Sequence, residues 1–292
     1  MNELGYLQLM RKILAEGIRK NNRTGIPTLS LVGESLKFDL SQGFPLLTTK
    51  TVPWKAVVKE LVWFIRGETD AKLLDAQGVK IWNANGSREF LDGRGLSYPE
   101  GELGPVYGWQ WRKFGAEHPT TAADSDDEGM GGGDIGVDQL VNAEHLLKTD
   151  PDSRRIFVSA WNPLDLHKMA LPPCHISYQF IVTGGALHCV TYQRSVDFAL
   201  GAPFNVSSYA FLTAAMAAIH GFKPGTLTIN MGDVHIYENH IEQCKEQLTR
   251  DIREPPTLEL VNLPDSITKI TLENFNIINY NPHPPIRMPM AV

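Results

Sequence analysis

The sequence predicts an α+β fold on three observations. Strand-like and helix-like stretches are mixed along the chain without a regular βα alternation, which disfavours a doubly wound parallel sheet. Two alternating runs, 177–182 and 187–193, flank Thr183-Gly184-Gly185-Ala186, which has the chemistry of a tight hairpin turn between antiparallel strands. Residues 207–220 are apolar on every side, the mark of a helix buried inside a fold.

Periodicity justifies the elements in order. Residues 3–18 predict a helix with Leu4, Leu7, Met10, Ile13 and Leu14 on one face. Residues 28–40 alternate as a strand, and 54–66 predict a strong helix. Residues 155–161 are strand-like, and the hairpin at 177–193 and the buried helix follow. An amphipathic helix at 238–250 is stopped by Pro255 and Pro256. Residues 258–263 and 269–278 predict two more strands, and the proline-rich tail NPHPPIRMPMAV predicts no regular element.

The 292 residues, 42% hydrophobic and 21% charged, exclude a disordered, collagenous or disulfide-scaffold protein. The periodic pattern resumes on both sides of the low-complexity stretch 115–137, so the chain predicts a single domain, 1–292, with one mobile acidic and Gly-rich insertion. That insertion carries six acids and no Lys or Arg, which accounts for the whole excess of 33 acidic over 27 basic residues. The body is therefore neutral, and a broad nucleic-acid surface is disfavoured. Three cysteines, Cys174, Cys189 and Cys244, with no CxxC pair, point to a reducing, cytoplasmic setting and away from a Cys-rich zinc site. The N-terminus lacks the apolar core of a signal peptide, and no stretch approaches the ~18 unbroken apolar residues of a membrane span.

Four groups could carry chemistry. Cys174 follows two prolines that hold the backbone extended, so its thiol is either a fixed nucleophile or a buried structural cysteine. A nearby cation would favour the thiolate, and the hairpin brings Arg194 back toward it. Glu60 has Ala56, Val57, Trp63 and Phe64 as helical neighbours, an apolar face that raises a carboxyl pKa and suits acid–base work; the alternative is a buried ion pair with an arginine. Arg23, Arg154, Arg155 and Arg194 stand in turn-like contexts, and arginine is the planar donor for phosphate, although each alone reads as a surface ion-pair residue. In GDVHIYENH, His235 and Tyr237 share a face of an extended segment and could bind one hydroxyl. The i,i+5 spacing of His235 and His240 fits no helix face, so no metal is expected.

From about Arg23 to Val292, interrupted only at the acidic insertion, the chain resembles the thymidylate synthase family. The resemblance rests on RTG, PLLTTK, ELVWFIRG, IWNANGSREFLD, LGPVYGWQWR, DPDSRRI, SAWNP, MALPPCH, YQRSVDFALGAPFNVSSY, GDVHIYENH and the terminal MAV, in that order. It implies a mixed sheet packed with helices, with the sheets back to back across a homodimer. It implies reductive methylation of dUMP to dTMP, with 5,10-methylenetetrahydrofolate as donor of carbon and hydride and no metal. Cys174 would add to C6 of uracil, and Glu60 would help activate the folate and relay protons at O4. Tyr107 and His175 would line the reacting base. Arg23, Gln193, Arg194 and Ser195 would bind dUMP, chiefly at its phosphate, with Arg154 and Arg155 reaching it from the partner subunit. Asn205 would read the uracil edge, and His235 and Tyr237 would take the 3′-hydroxyl. Asp197, Ile81, Trp82, Asn85, Leu200, Gly201, Phe204 and Ala291 would form the folate side, with Lys50 at the folate's glutamate tail.

Three positions depart from the family's usual pattern: Thr51 for Arg, Asn83 for Asp and His188 for Ser. The nearest rival is a dUMP or dCMP hydroxymethylase, which ends with water in place of hydride. Asn205 argues for uracil over cytosine. A rival of another class is a nucleic-acid-binding protein using the arginine pair, and the neutral body argues against it.

Overall fold

Long alternating segments of chain assemble into one six-stranded sheet whose inner face is covered by helices. The computed structural model describes residues 2–119 and 136–290. The predicted mobile insertion therefore lies outside the described residues except at its flanks, where Phe114 and Val137 pair in an antiparallel bridge. In chain order the elements are α1 (Asn2–Glu16), β1 (Ile18–Lys20), β2 (Thr28–Asp39), α2 (Trp54–Ile65), α3 (Lys72–Asp75), α4 (Arg88–Gly93), α5 (Tyr107–Lys113) and α6 (Gln139–Thr149). There follow β3 (Phe157–Ser159), β4 (His175–Thr183), β5 (Ala186–Asp197), α7 (Ala202–Ile219), β6 (Lys223–Tyr237), α8 (Ile241–Leu248), β7 (Thr257–Leu260) and β8 (Phe275–Ile278).

The strand order is β1-β2-β6-β5-β4-β3, and a separate two-stranded ribbon pairs β7 with β8. Every pairing is antiparallel except β5 with β6, which α7 joins as a crossover. The β4–β5 hairpin turns on Gly184 and Gly185, both at positive φ (59° and 75°), as a tight primed turn requires. On β5, Leu187, Cys189, Thr191 and Gln193 alternate inward and are buried. The opposite face of the sheet is open: Ile181 and Tyr192 are 38% and 43% exposed.

α7 is long and apolar enough to cross a membrane by length and composition, yet most of it is buried against α2, β5 and β6. It is a core helix, as its lack of any polar face requires. α1 anchors the loop before α2: the buried Glu3 carboxylate accepts bonds from the backbone N–H and hydroxyl of both Thr48 and Thr49, at 2.6–2.9 Å.

Three predicted elements change. In α1, Leu4 is exposed and Tyr6 takes its place in the core. The predicted strand at 269–278 shrinks to β8, because Thr271 and Asn274 form a capping box around a short 3₁₀ turn, Leu272–Asn274. The buried helix begins five residues early, at Ala202, with a proline in its first turn.

Candidate active site

Cys174 is pinned from both sides. Its backbone N–H donates to the Tyr107 hydroxyl at 2.7 Å, and its carbonyl accepts the Arg194 N–H at 2.9 Å. The Arg194 guanidinium donates to the Pro173 and Pro172 carbonyls (2.7 and 2.9 Å) and lies over the Trp161 ring. The two prolines thus rigidify the approach to the cysteine and supply the carbonyls that hold the cation. Burial pushes the Cys174 pKa above the ordinary thiol value, while Arg194, Arg23 and the Tyr107 hydroxyl pull it down. The expected cation is present and opposes burial, whose upward push on the thiol is the larger effect.

Glu60 sits on α2 at the edge of the cleft. Its expected alternative partner was an arginine; its actual partner is the Trp82 indole, which donates to Oε1 at 2.8 Å. One neutral donor does not offset burial, and the Glu60 pKa is pushed up to about 7. Near neutral pH this carboxyl can therefore both give and take a proton.

His175 stacks on Tyr107 with ring centroids 4.2 Å apart, and its Nδ1 lies 2.8 Å from the Tyr209 hydroxyl. Burial lowers its pKa to about 3, so it is neutral. In the first turn of α7, the Asn205 amide donates to the buried Gln193 Oε1 at 3.0 Å, leaving its own oxygen and second N–H free to face a ligand. On β6, His235 Nδ1 donates to Asp233 at 3.0 Å. Asp233, which also takes the Lys20 ammonium, is held at a pKa of about 2 by these partners against burial. His235 and Tyr237 stand edge to face, 5.3 Å apart.

Glu60, Ile81, Trp82, Asn85, Leu171, Asp197, Leu200, Gly201, Phe204, Asn205 and Met290 line a cleft of about 270 Å3. Asp197 ends β5 and accepts the Leu200 N–H at 3.0 Å, shaping the turn into α7. Ser195 pairs with Asp233 in the β5–β6 register. Leu171 and Met290 are lining residues that the sequence reading missed: an isolated leucine and a tail methionine carry no local signal. Ala291 lies outside the described residues, next to Met290.

Several expected residues lie apart from the cleft. Lys50 is buried with its ammonium on the Ala199 carbonyl at 2.5 Å, and burial lowers its pKa to about 8; it props the turn after Asp197. Arg23 is exposed and lines a neighbouring depression with Ser87, Phe90 and Arg94, while its charge still acts on Cys174. Arg154 and Arg155 are exposed just before the edge strand β3, with no side-chain partner among the described residues. Among the described residues, no three His, Cys, Asp or Glu side chains converge as a metal site.

The three departures acquire local reasons. Thr51 donates to the His283 carbonyl at 2.8 Å and ties the tail to the loop before α2. Asn83 faces a surface depression with Lys72, Asp75 and Glu100, away from the cleft. His188 sits where the β5–β6 register shifts, and its Nδ1 accepts the Thr226 N–H that the irregularity leaves unpaired, at 3.0 Å.

The fold and cleft define a class: an enzyme that sets a thiol beside the fixed guanidinium of Arg194 and a proton-holding carboxyl in the adjoining cleft. The chain belongs to the thymidylate synthase family, whose model matches residues 4–292. It is 52% identical over 293 residues to thymidylate synthase of Ascaris suum, covering 100% of this chain and 97% of that one. It is also 52% identical over 291 residues to the Homo sapiens thymidylate synthase, covering 99% and 91%. The thymidylate synthase of human herpesvirus 8 is 50% identical, covering 99% and 84%.

Proposed function

We propose that this protein converts dUMP to dTMP, taking both carbon and hydride from 5,10-methylenetetrahydrofolate and releasing dihydrofolate. The carrying observation is Cys174, fixed between Tyr107 and Arg194 on a chain that belongs to this family throughout. The Cys174 sulfur bonds to C6 of the uracil as its proton passes to solvent in the open cleft. Electron density moves to O4, where Glu60, with its pKa near 7, supplies and recovers a proton. The enolate formed in this way donates its electron pair from C5 to the one-carbon unit. After C5 has taken the one-carbon unit it loses its own proton, and the sulfur–C6 bond breaks to return the cysteine. The folate, when bound, supplies a one-carbon unit and then a hydride. The apolar cleft walls Ile81, Trp82, Leu200 and Phe204, with Asn85 and Asp197 as polar points, suit a flat heterocycle.

Arg23, Arg194 and Ser195 hold the phosphate, His235 and Tyr237 the 3′-hydroxyl, and Asn205 with Gln193 the uracil edge. Arg154 and Arg155 complete the phosphate site of a partner subunit. What supports this homodimer is the open sheet face carrying Ile181 and Tyr192, together with two edge arginines that have no side-chain partner among the described residues. The chain acts as one domain, and its three free thiols suit the cytoplasm.

The test is a product assay with dUMP and methylenetetrahydrofolate. Dihydrofolate absorbance rising in step with dTMP is the expected result. A hydroxymethylated nucleotide without dihydrofolate, or no product, overturns the reading.

A further inference from the structure

We infer that His240, which does not itself line the cleft, is a positioning residue: it fastens the tail at the point from which Met290 walls the cleft. His240 lies between β6 and α8 and is fully buried. The Pro289 carbonyl is 2.7 Å from its Nε2, and a carbonyl can only accept, so Nε2 carries a proton and donates it. Pro289 has no N–H, so this carbonyl is the one hydrogen-bonding group it has. The next residue is Met290, which lines the cleft with Glu60, Trp82 and Asp197.

The tail is fastened several times before this point. Arg253 donates to the Asn281 and Pro282 carbonyls (both 3.2 Å), the His283 N–H to the Thr48 carbonyl (2.7 Å) and Arg250 to the Pro284 carbonyl (2.6 Å). From there to Met290, the bond from His240 is the only hydrogen bond to the tail among the described residues. Without it, Met290 would end a stretch of six residues with a reach of about 20 Å. Met288 packs on the core, but an apolar contact sets no direction. The His240 bond does, and lifting the tail would strand its buried donor. The same imidazole stands edge to face with Tyr237, ring centroids 5.7 Å apart. The consequence rests on the proposed reaction: Tyr237 there meets the nucleotide and Met290 the folate, so one buried ring touches the first and fastens the second.

The test compares His240→Gln with His240→Asn. A glutamine amide nitrogen stands near the place of Nε2 and reaches the Pro289 carbonyl; an asparagine amide stands near the place of Nδ1 and falls short. Both are uncharged and both lose the ring contact with Tyr237, so the difference between them isolates the bond to the tail. The first readout is carbon NMR of the free protein labelled at the methionine methyls, with Met290 assigned through Met290→Leu. Wild type and His240→Gln should hold the Met290 signal away from that of a methionine in the unfolded chain, and His240→Asn should move it there. The second readout is steady-state kinetics. His240→Asn should raise the KM for methylenetetrahydrofolate roughly 5-fold, as for one lost hydrogen bond, with the KM for dUMP within about twofold of wild type. His240→Gln should stay near wild type in both. If His240→Asn is unfolded by its spectrum, His240→Phe takes its place, keeping a ring without a donor. A Met290 signal that stays put when the donor is lost overturns the inference, as does a folate KM that rises equally in the glutamine and asparagine variants. A moved signal with an unchanged folate KM overturns the role at the cleft. Because the Met290 signal is read without substrate, failure of the proposed reaction in the product assay is a separate result.

Discussion

Replacing Cys174 with serine keeps the side chain's size and its place between Tyr107 and Arg194, and removes the polarisable sulfur. Turnover is expected to fall by at least about three orders of magnitude while dUMP still binds, because a hydroxyl is a far poorer nucleophile near neutral pH. Near-normal turnover would remove Cys174 from the chemistry. Cys189 and Cys244 are fully buried in the core, so their serine variants should lose stability and leave kcat largely intact. Glu60→Gln should retain dUMP binding and lose roughly 10²–10⁴ in turnover, the range of a general acid–base group. The Glu60 pKa rises from 4.5 to about 7 on folding, so folding favours its protonated form. That contribution to stability is present in full below the unfolded value of 4.5 and lost as pH rises through about 7. Urea midpoints should therefore converge for wild type and Glu60→Gln at acid pH, with the variant gaining above neutrality. A difference independent of pH would mean that Glu60 does not titrate near 7. In the proposed reaction Asn205 would offer the uracil edge a donor and an acceptor, and its bond to Gln193 would resist the flip that cytosine demands. Asn205→Asp should weaken dUMP and improve dCMP, since a mismatched buried polar group costs ~1–3 kcal/mol. An unchanged ratio of kcat/KM for the two nucleotides would show that Asn205 does not read the base.

At the scale of elements, the site depends on how few anchors hold the loops around it. Glu3 fastens α1 to Thr48 and Thr49, and the same loop is tied to the tail through Tyr280, whose hydroxyl accepts the Val52 N–H and donates to the Leu47 carbonyl. Glu3→Ala would strand four buried donors and should cost on the order of 3 kcal/mol, read as a lower urea midpoint at unchanged slope. A loss under about 0.5 kcal/mol would mean that the loop finds other partners. What was legible in the sequence follows element by element. The hairpin was readable because Gly184 and Gly185 supply the two positive φ angles, and α2 because its apolar spacing is strong. β6 was only glimpsed as an extended GDVHIY, although it runs fifteen residues: Pro224, Gly225 and Gly232 blur its alternation, and its polar threonines face the open side of the sheet. The strand at 269–278 was overread because Asn274 gives its side chain to Thr271, Val261 and Asn262, a choice set by contacts twelve or more residues away. Cys174 with Arg194 was visible through the hairpin. The Trp82 indole on Glu60 was not, because it joins α2 to a loop twenty-two residues on.

At the scale of the whole molecule, one chain leaves two things unfinished. Among the described residues no helix packs on one face of the sheet, and Ile181 and Tyr192 stand partly exposed there. Arg154 and Arg155 are exposed beside the edge strand β3, whereas the guanidinium groups whose charge acts on their own chain's Cys174 are those of Arg194 and Arg23. Packing two sheets back to back would cover the open face. The same packing would give the edge arginines a phosphate to bind in the other subunit. If so, each active site has parts from two chains, and defects in different parts can complement. A Cys174→Ser protein and an Arg154→Ala/Arg155→Ala protein should each be nearly inactive alone. Mixed under conditions of subunit exchange, they form heterodimers in which one site keeps its own Cys174 and borrows intact arginines from the Cys174→Ser chain. The other site lacks both. At full exchange half the dimers are mixed, each with one working site, so activity should recover to about one quarter of wild type per subunit. Exchange is followed independently by mass-tagging one partner. Exchange without recovery would place Arg154 and Arg155 outside the neighbouring site and leave the open sheet face needing another explanation.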